Sequence, residues 1–537
     1  MKLKEISASL PSGAVGDYIQ QKQQISACFD YLLEEEAFQK RVKDLQSRSY
    51  PRQELSAHLF AYNERLGAGA KTLQNIQLLS EPNTYVVIGG QQAGLLTGPL
   101  YTIHKIVSIL QLAKEQEKKL GTPVIPVFWI AGEDHDIEEI NHVFVAKNGS
   151  LKKSVLYQTG TGRTSASFLP LDLEACWSWV QSVFQTYRET EHTNDLLNFV
   201  KDCLQSSSTY VDFFGRLIME LFKEEGLVLV DSGDSELRRL EATFFQTILQ
   251  QHEEIGAGLQ QQQEMLRERG YTPLIAAKEN SLHLFIHEEG ERWLLEKAGD
   301  RFVYKNGSYS FAELENLMME KPEAFSNNVV TRPLMQEYLF PTLAFIGGPG
   351  EVAYWAELQQ VFHRLGFLMP PVVPRLMMSY LERGIETDLQ ELHIGVEDVF
   401  RKPIEQMKEQ WLAQQVVEPV EDTFAQARQQ FEETHRTLRE LVRNIQPGLN
   451  RFAEKNKQKI EEQINVLERT LEREIELMHH VQLNKFRRIQ MSLQPFGHLQ
   501  ERTWNIWYYL NQYGFDFIPD LLKQPFSWNG SHSCIRL

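Results

Sequence analysis

The sequence has few cysteines and no long apolar run, and these shortages exclude several classes of protein. Its 537 residues include four cysteines, Cys28, Cys176, Cys203 and Cys534, which are too scattered for a disulfide framework or a zinc site. No segment approaches the ~18 uninterrupted apolar residues of a membrane-spanning helix. Residues 1–16 lack the apolar core of a secretory signal. We therefore expect a cytoplasmic protein with reduced thiols and no membrane partner.

The sequence also has fewer positively charged than negatively charged residues. The chain has 55 Lys and Arg residues against 72 Asp and Glu residues, a net charge of -17, so no general field attracts it to nucleic acid. Its 42% hydrophobic and 24% charged residues are typical of a globular protein with large cores. A chain of this length is expected to contain two or three domains.

Two buried strands with a glycine-rich loop and a helix between them are predicted early in the chain. Residues 85–88 are a β-branched run, residues 89–98 form the loop, and a helix is predicted from about 99 to 119. The run P-V-I-P-V-F-W-I at 123–130 is the second strand. This βαβ unit predicts an open α/β fold with a parallel sheet. Residues 227–231 and 343–346 are predicted to add further strands to it.

Changes in composition divide the chain. Residues 1–380 are predicted to form the α/β core, with insertions at about 145–210 and 260–331, the second containing hairpin-like strands. Insertions at the carboxyl edge of a sheet commonly form a wall or lid over a substrate.

The remaining residues differ in composition and in the spacing of their apolar residues. Residues 381–498 are rich in charged residues and Gln, with apolar residues three or four apart and a break at Pro447 and Gly448. This pattern predicts two long helices folded as an antiparallel coiled-coil hairpin, whose apolar seam also suits a homodimer. Its interleaved charges indicate a solvated surface and not a nucleic-acid patch. Residues 499–537 are aromatic and are predicted to dock on the core.

The glycine-rich loop is the strongest candidate for a ligand site. Glycines let backbone N–H groups approach an anion, and the positive end of the following helix points at the same place. We predict a nucleotide phosphate or another anion here, bound by Gly89, Gly90, Gly94, Thr97, Gly98 and Thr102. The loop matches neither G-x-G-x-x-G nor G-x-x-x-x-G-K-[ST], and close helix packing is the alternative. His104 and Lys105 lie two turns into the helix, and we expect their side chains to face outward.

The second strand ends in an acidic cluster that includes a histidine. Carboxylates beside an imidazole act as general bases or bind cations and amines. We predict catalytic roles for Glu133, Asp134, His135 and Asp136, with helix capping as the alternative for Asp134 and His135. Strand alternation would place Asp134 and Asp136 on one side and His135 on the other. Because that arrangement splits the side chains, no metal site is predicted.

Further polar residues near strand ends are candidates for substrate binding. They are Asn141, His142, Arg332, Glu351, Tyr354, Trp355 and Arg375. Arginines near such loops suit a carboxylate or phosphate, and surface ion pairs are the alternative for Arg332 and Arg375. The alternative for Glu351 is a favourable interaction with the dipole at a helix start. No G-x-S-x-G elbow is present and no cysteine has an activating context, so nucleophilic catalysis by the protein is disfavoured.

Three long motifs resemble one known family, the bacillithiol biosynthesis enzymes called BshC. They are G-G-Q-Q-A-G-L-L-T-G-P-L-Y-T-I-H-K at 89–105, P-V-F-W-I-A-G-E-D-H-D-I-E-E-I-N-H at 126–142 and G-G-P-G-E-V-A-Y-W at 347–355. The resemblance extends over essentially the whole chain. It implies a Rossmann-like core with connecting-peptide insertions, an α-helical coiled-coil domain used for dimerisation, and an architecture similar to class I nucleotidyltransferases. The implied reaction joins the carboxyl group of L-cysteine to the amine of glucosaminyl malate, the last step of bacillithiol biosynthesis.

The resemblance also implies a co-substrate. Forming an amide from a free carboxylate requires activation, so ATP is expected as co-substrate, Mg²⁺ is compatible with it, and no tightly bound cofactor is expected. The histidine pair of the class I H-x-G-H signature is absent from T-G-P-L-Y-T-I-H at 97–104, and no K-M-S-K-S lies near Met377. An acyl-adenylate and an acyl-phosphate intermediate therefore both stay open.

Two other classes of function are alternatives to the ligase. They are a noncatalytic nucleotide-sensing dimer, and a nucleotidyl or glycosyl transferase on the same fold. Polar residues at three strand ends favour an enzyme, because a sensor needs the anion loop but not residues 133–136.

Overall fold

A computed structural model describes residues 1–6, 13–158, 162–276, 278–416 and 419–537. Residues 7–12, residues 159–161 and 277 of the two predicted insertions, and residues 417–418 of the predicted helical domain lie outside the described residues. The chain forms two compact units. The first comprises Met1–Tyr380 and Leu499–Leu537, and the second comprises Leu381–His498.

The first unit contains both strands and helices, whereas the second is almost entirely helical. The strands are β1 (Lys2–Ile6), β2 (Tyr85–Gln91), β3 (Val124–Ile130), β4 (His142–Lys147), β5 (Ser150–Val155), β6 (Val228–Asp231), β7 (Ser281–Glu288), β8 (Glu291–Ala298), β9 (Arg301–Tyr304), β10 (Gly307–Ser310), β11 (Phe325–Asn327), β12 (Thr342–Gly347), β13 (Val372–Pro374), β14 (Met377–Leu381) and β15 (His532–Arg536).

The helices before the boundary of the second unit are α1 (Ala14–Ile19), α2 (Gln23–Ser26), α3 (Ala37–Gln46), α4 (Arg52–Arg65), α5 (Ala70–Leu78), α6 (Leu100–Leu120), α7 (Ile137–Ile140), α8 (Leu173–Phe184), α9 (Thr193–Gln205), α10 (Tyr210–Leu221), α11 (Ser235–Gln250), α12 (His252–Glu268), α13 (Phe311–Glu320), α14 (Thr331–Leu339), α15 (Pro349–Trp355) and α16 (Gln359–Arg364). The helices that follow are α17 (Arg383–Glu391), α18 (Val396–Val399), α19 (Ile404–Gln415), α20 (Val420–Ile445), α21 (Asn450–Met478), α22 (His480–Leu493), α23 (Ile506–Tyr513) and α24 (Phe517–Leu522).

A five-stranded parallel sheet of order β13-β12-β2-β3-β6 forms the centre of the first unit, which confirms the predicted open α/β fold. Its strands are apolar runs because both faces are covered. Val87 packs into the hydrophobic cluster on one face, whereas Val86 and Ile88 pack into the cluster on the other. The first strand is longer than predicted, since β2 continues through Gly89 and Gly90 to Gln91.

The two predicted insertions contain secondary structure of their own. In the first, β4 and β5 form an antiparallel hairpin that is followed by α8 and α9. In the second, an antiparallel sheet of order β10-β9-β8-β7-β11 contains the predicted hairpin-like strands. This second sheet supplies a side chain to the site described below.

After Leu381, the last residue of β14, the described secondary structure of the second unit is helical. Helices α20 and α21 run in opposite directions on either side of a turn at Pro447–Leu449. Ion pairs cross between them, with Arg428 contacting Glu468 and Arg439 contacting Glu454 at 3.0 Å. As the residue number rises along α20, the number of its partner on α21 falls, which is the pattern of an antiparallel hairpin.

The aromatic C-terminal segment packs into the first unit. Strand β15 pairs with β1 in a small sheet that also contains β14. Trp507 is fully buried, with its ring near Phe184 and Phe199. Within the described ranges, no helix combines the length and the apolar character needed to cross a membrane.

Candidate functional site at the carboxyl edge of the sheet

The order of strands in the parallel sheet places a crevice beside β2. The chain leaves β2 through α6 to β3 on one side, whereas β12 lies on the other side of β2 and leads outward to β13. At such a reversal, adjacent loops separate beyond the carboxyl ends of the strands, and ligands of open α/β sheets bind there. Residues that follow β2, β3 and β12 are therefore brought to one edge.

Lys105 and Glu351 meet at this crevice. The Lys105 ammonium donates hydrogen bonds to the Gly90 carbonyl, to Gln91 Oε1 at 3.2 Å and to the Glu351 carboxylate. Lys105 is almost fully buried, and burial lowers its pKa although the Glu351 carboxylate opposes that shift. The side chain of Glu351 stays 24% exposed, so the pair reaches the open edge.

The expectation that His104 and Lys105 face outward is wrong. Helix α6 is buried around most of its circumference, and both side chains point into the protein. The sequence carries a signal for this, because the apolar run around them is typical of a fully buried helix, in which a lysine requires a partner.

Helices α14 and α15 bring three predicted substrate-binding residues together. Glu351 accepts a hydrogen bond from the Gly348 N–H at 2.7 Å, which caps α15. Arg332 Nη2 lies 3.4 Å from the Tyr354 hydroxyl, and burial raises the pKa of Tyr354. Glu351 thus has the predicted role at a helix start as well as its contact with Lys105.

Trp355 does not belong to the site, which corrects its predicted role in substrate binding. Its ring is fully buried and stacks on Phe345 with 4.3 Å between centroids. It lies one residue beyond Tyr354 on α15, where the helix turns it into the core.

Arg375 also forms an ion pair within the chain. Both of its terminal nitrogens donate to the Glu501 carboxylate, at 2.6 and 2.7 Å, and both side chains are buried. Glu501 also contacts His104 Nδ1 at 2.9 Å, and His104 Nε2 contacts the Tyr380 hydroxyl at 3.0 Å. The predicted substrate role of Arg375 is therefore replaced by an internal ion pair, although the residue borders a cavity of about 440 Å³.

The start of α6 is closed, which corrects the predicted anion site at that helix end. The Leu100 N–H donates to the Trp504 carbonyl at 2.8 Å. Asn505 Nδ2 donates to the carbonyls of Leu96 and Gly98 at 2.6 and 2.7 Å. The C-terminal segment thus occupies the place predicted for a phosphate.

The loop residues assigned to that site have other structural roles. Thr97 and Thr102 are buried, and the Thr97 hydroxyl donates to the Leu96 carbonyl. A Cβ atom on Gly90 would lie 2.7 Å from the Trp129 carbonyl oxygen, and one on Gly89 would lie 2.8 Å from that of Ile346. These two glycines allow neighbouring strands to approach, and Gly94 allows the loop to pass Gly98, where φ is +68°.

Glu133 forms an internal ion pair, which argues against its predicted catalytic role. Its Oε2 accepts from Arg238 Nη2 at 2.6 Å and from the Asn327 N–H at 3.1 Å. Arg238 also contacts Glu241, whose pKa burial raises to about 7. Glu133 is 3% exposed and its carboxylate is already paired with Arg238, so its charge is not free to hold an amine.

Asp134 remains accessible at the end of β3. Its Oδ2 accepts from Gln92 Nε2 at 3.3 Å, and its Oδ1 lies 3.6 Å from Arg292 Nη1. Although 42% of the side chain is exposed, the surrounding protein raises the pKa of Asp134 by desolvation, and Arg292 opposes this shift. A carboxylate with these properties at a strand end is a candidate proton acceptor.

Arg292 is a site residue that the sequence analysis missed. It comes from β8 of the second insertion and lies over the Phe285 ring, 3.8 Å from its centroid. Arg292 Nη1 also lies 3.4 Å from His135 Nδ1. Burial lowers the pKa of His135, and the positive charge of Arg292 lowers it further. Because β3 ends at Ile130, strand alternation does not apply, and Asp134 and His135 both face Arg292.

The other predicted residues near this cluster are placed differently. Asp136, and not Asp134 or His135, is the N-cap residue of α7. It is exposed, and its side chain accepts no hydrogen bond from the backbone N–H groups of that helix. Asn141 and His142 lie at the far end of α7, where Asn141 Oδ1 and His142 Nδ1 are buried without hydrogen-bond partners. Burial lowers the pKa of His142 to about 4. Among the described residues, no three His, Cys, Asp or Glu side chains are grouped for a metal ion.

Together, these features define a Rossmann-like α/β protein with a candidate site at the carboxyl edge of its sheet and a helical hairpin unit. The family model described as bacillithiol biosynthesis BshC, N-terminal Rossmann-like domain, matches residues 1–376. The model of the BshC C-terminal coiled-coil domain matches residues 378–537. The chain belongs to the BshC family of bacillithiol biosynthesis.

Curated relatives match over the full length of both chains. Proteins from Bacillus thuringiensis subsp. konkukian, Bacillus cytotoxicus and Bacillus cereus are each 54% identical over 539 residues, covering 100% of this chain and 100% of theirs. Each is named "putative cysteine ligase BshC". The resemblance found in the three sequence motifs is thereby confirmed.

Proposed function

We propose that this protein is a ligase that joins the carboxyl group of L-cysteine to the amine of glucosaminyl malate, completing bacillithiol. Family membership and the names of the relatives support the reaction. The observation that carries the proposal is Asp134, an accessible carboxylate with a raised pKa at a strand end, held by Gln92 and Arg292. Its position fits the general base that such a reaction requires.

The proposed chemistry assigns a proton acceptor to the amine. A protonated amine has no lone pair, so the glucosaminyl ammonium first loses one proton to solvent. The neutral amine then attacks the activated cysteinyl carbon, and its nitrogen gives a second proton to Asp134. A C–N bond forms, the bond from that carbon to the activating group's oxygen breaks, and the leaving group takes the electron pair. A raised pKa improves a carboxylate as an acceptor, because it brings the pKa closer to the operating pH. Arg292 lies where its positive charge orients Asp134.

We also infer that ATP activates the cysteine carboxyl group, since a free carboxylate is a poor electrophile. Arg292 and Arg332 are cations near the sheet edge that support binding of an anionic co-substrate. Mg²⁺ would accompany nucleotide phosphates as part of the co-substrate. The two intermediates differ in their by-product, which is AMP for an acyl-adenylate and ADP for an acyl-phosphate.

The reaction is tested directly with purified protein, glucosaminyl malate and L-cysteine, with ATP present or omitted. We expect mass spectrometry to detect the thiol conjugate and either AMP or ADP only when ATP is present. Formation of the conjugate without any nucleotide would remove the proposed activation step. Absence of the conjugate with ATP and Mg²⁺ would overturn the ligase assignment.

Asp134 is tested by Asp134→Asn, which preserves size and removes the charge. Turnover should fall by about 10² to 10⁴, the usual contribution of a general base, with the melting temperature unchanged. The matched control is Asp195→Asn, at an exposed aspartate on α9, which should keep wild-type turnover. Full turnover in Asp134→Asn would contradict the role of Asp134.

We further propose a homodimer formed through α20 and α21, and a cytoplasmic location. Exposed leucines on the hairpin support the dimer, including Leu438, Leu467 and Leu471. All four cysteines lie within the described ranges and no disulfide joins them, which supports a reducing compartment.

A further inference from the structure

A second polar pocket lies at the carboxyl end of β6, beside the strand that leads to Asp134. Its volume is about 330 Å³, at the lower end of the range for small-molecule sites. Three aspartates from three elements line it. Asp231 ends β6, Asp234 caps α11, and Asp212 lies in the first turn of α10.

Asp231 is held in place by two hydrogen bonds and by close packing against a glycine. Its Oδ1 accepts from Ser167 Oγ at 2.8 Å and from the Gly233 N–H at 2.9 Å, and the residue is 5% exposed. A Cβ atom on Gly132 would lie 2.1 Å from Ser167 Oγ and 2.2 Å from Asp231 Oδ1. The close approach of these groups therefore requires glycine at position 132, and burial raises the pKa of Asp231 to about 7.

A buried hydroxyl faces the same pocket without a partner. Tyr62 is 3% exposed and lines the pocket, and its hydroxyl has no hydrogen-bond partner. Burial, and then the carboxylates of Asp231, Asp234 and Asp212, raise the pKa of Tyr62, whereas Arg65, whose guanidinium carbon lies 5.2 Å from the centre of the Tyr62 ring, opposes this shift. A buried hydroxyl normally finds a partner, so this one points to a ligand.

The charges around the pocket are only partly balanced. Asp234 lies 3.4 Å from Arg65 and 3.9 Å from His58, and it accepts hydrogen bonds from backbone N–H groups of α11. Asp212 accepts from the Ser208 N–H and hydroxyl, which are neutral groups. Asp212 and Asp231 are thus the two carboxylates without a cationic neighbour within ion-pair distance among the described residues.

We propose that this pocket binds the primary ammonium group of a small-molecule ligand. An ammonium group donates three hydrogen bonds, which match two carboxylates and a tyrosine oxygen, whereas the described residues do not form a metal-binding group. Both substrates of the proposed reaction carry an amine, so the candidate sources are the α-amine of cysteine and the amine of glucosaminyl malate. Only this choice of sources rests on the proposed function.

The proposal is tested by calorimetry on the full-length protein with four probes. They are L-cysteine, 3-mercaptopropionate, which lacks the amine, glucosaminyl malate, and its N-acetyl derivative. For the ligand that uses the pocket, we expect binding by the amine and at least tenfold weaker binding by its amine-free or blocked analogue. The pair that shows this difference identifies the source.

Variants connect that binding to the pocket. Asp212→Asn and Asp231→Asn should each weaken amine binding about 10- to 100-fold, the usual effect of losing a charged hydrogen bond. Tyr62→Phe should weaken it several-fold without lowering the melting temperature, because the hydroxyl has no partner to lose. Asp202→Asn, at an exposed aspartate on α9, is the matched control and should bind as wild type does.

The outcomes separate this proposal from the ligase assignment. If both analogues bind as tightly as the amines, or if Asp212→Asn and Tyr62→Phe leave both amine affinities unchanged, the pocket proposal is overturned. Conjugate formation with unchanged KM values in these variants would overturn the pocket and leave the ligase intact. Asp212-dependent amine binding without conjugate would keep the pocket and overturn the ligase.

Discussion

At the scale of single residues, Glu501 holds several buried groups together. It pairs with both terminal nitrogens of Arg375 and with His104, and all three side chains are buried. Burial disfavours the charged form of Glu501, but Arg375 outweighs burial and lowers the pKa of Glu501 well below its usual range. Removing this carboxylate would leave the Arg375 charge buried without a partner.

Glu501→Gln is therefore expected to destabilise the protein. We expect the free energy of unfolding at pH 7 to fall by about 3–5 kcal/mol, the usual cost of breaking a buried ion pair. Because the folded-state pKa of Glu501 is depressed, its stabilising effect is present above the unfolded pKa of about 4.3 and is lost as the pH falls below it. Urea titrations of both proteins should show a difference that narrows below about pH 4. An equal difference at pH 3 and pH 7 would contradict this account.

Gly90 gives a second prediction at the residue scale. Gly90→Ala places a Cβ atom 2.7 Å from the Trp129 carbonyl oxygen inside the central sheet, so strands β2 and β3 must separate. We expect a loss of about 1–3 kcal/mol in the free energy of unfolding, as for overpacked cores. Gly350→Ala is the matched control, since nothing lies within 4 Å of its added Cβ and it is helical. Equal stability of the two variants would rule out the steric explanation.

At the scale of secondary-structure elements, the C-terminal segment decides what the start of α6 can do. The Trp504 carbonyl accepts from the Leu100 N–H, which an anion would otherwise contact, and Asn505 Nδ2 donates to the carbonyls of Leu96 and Gly98. Asn505 also accepts from the Trp507 N–H at 2.9 Å and so caps α23. One side chain thereby fixes two helix ends.

Asn505→Asp separates these two roles. The carboxylate still accepts from the Trp507 N–H, but it donates nothing to the carbonyls of Leu96 and Gly98. The Gly98 carbonyl then loses the Asn505 donor, and we expect a destabilisation of about 1–3 kcal/mol. The Leu96 carbonyl keeps the donors of the Thr97 hydroxyl and of Trp507 Nε1. Amide exchange should become faster at residues 96–100. Wild-type exchange there would show that the segment does not close this helix end.

At the scale of the whole molecule, the hairpin exposes more apolar side chain than a solvated coiled coil needs. Leu467 is 62% exposed and Leu471 is 38% exposed, on a helix whose other positions are largely charged. Exposed apolar patches of this kind mark interaction surfaces, and a second copy of the chain is the proposed partner.

The double substitution Leu467→Lys and Leu471→Lys should shift the protein toward monomer. Sedimentation at micromolar concentration measures the shift, because like charges on both copies would face each other in the dimer. Met319→Lys, at a residue that is 52% exposed on α13, is the control and should sediment as wild type does. A wild-type protein that sediments as a monomer would contradict the dimer.

Local patterns in the sequence determined the main elements. Apolar runs such as residues 85–88 and 123–130 fix buried parallel strands, because both faces of such a strand must be covered. The change of spacing after Tyr380 and the break at Pro447 fix the helical hairpin. The motifs also placed Asp134 beyond a strand end, where it lies.

Only the tertiary structure decided which polar residues remain available to a ligand. Lys105 meets Glu351, Arg375 meets Glu501, and Asp134 meets Arg292, pairs that are separated by more than a hundred residues in the chain. A side chain's accessibility depends on which distant segment docks against it, and no local periodicity encodes that docking. For this reason the sequence predicted a site at the sheet edge, whereas the packing of the insertion and of the C-terminal segment decided which of the predicted residues are accessible.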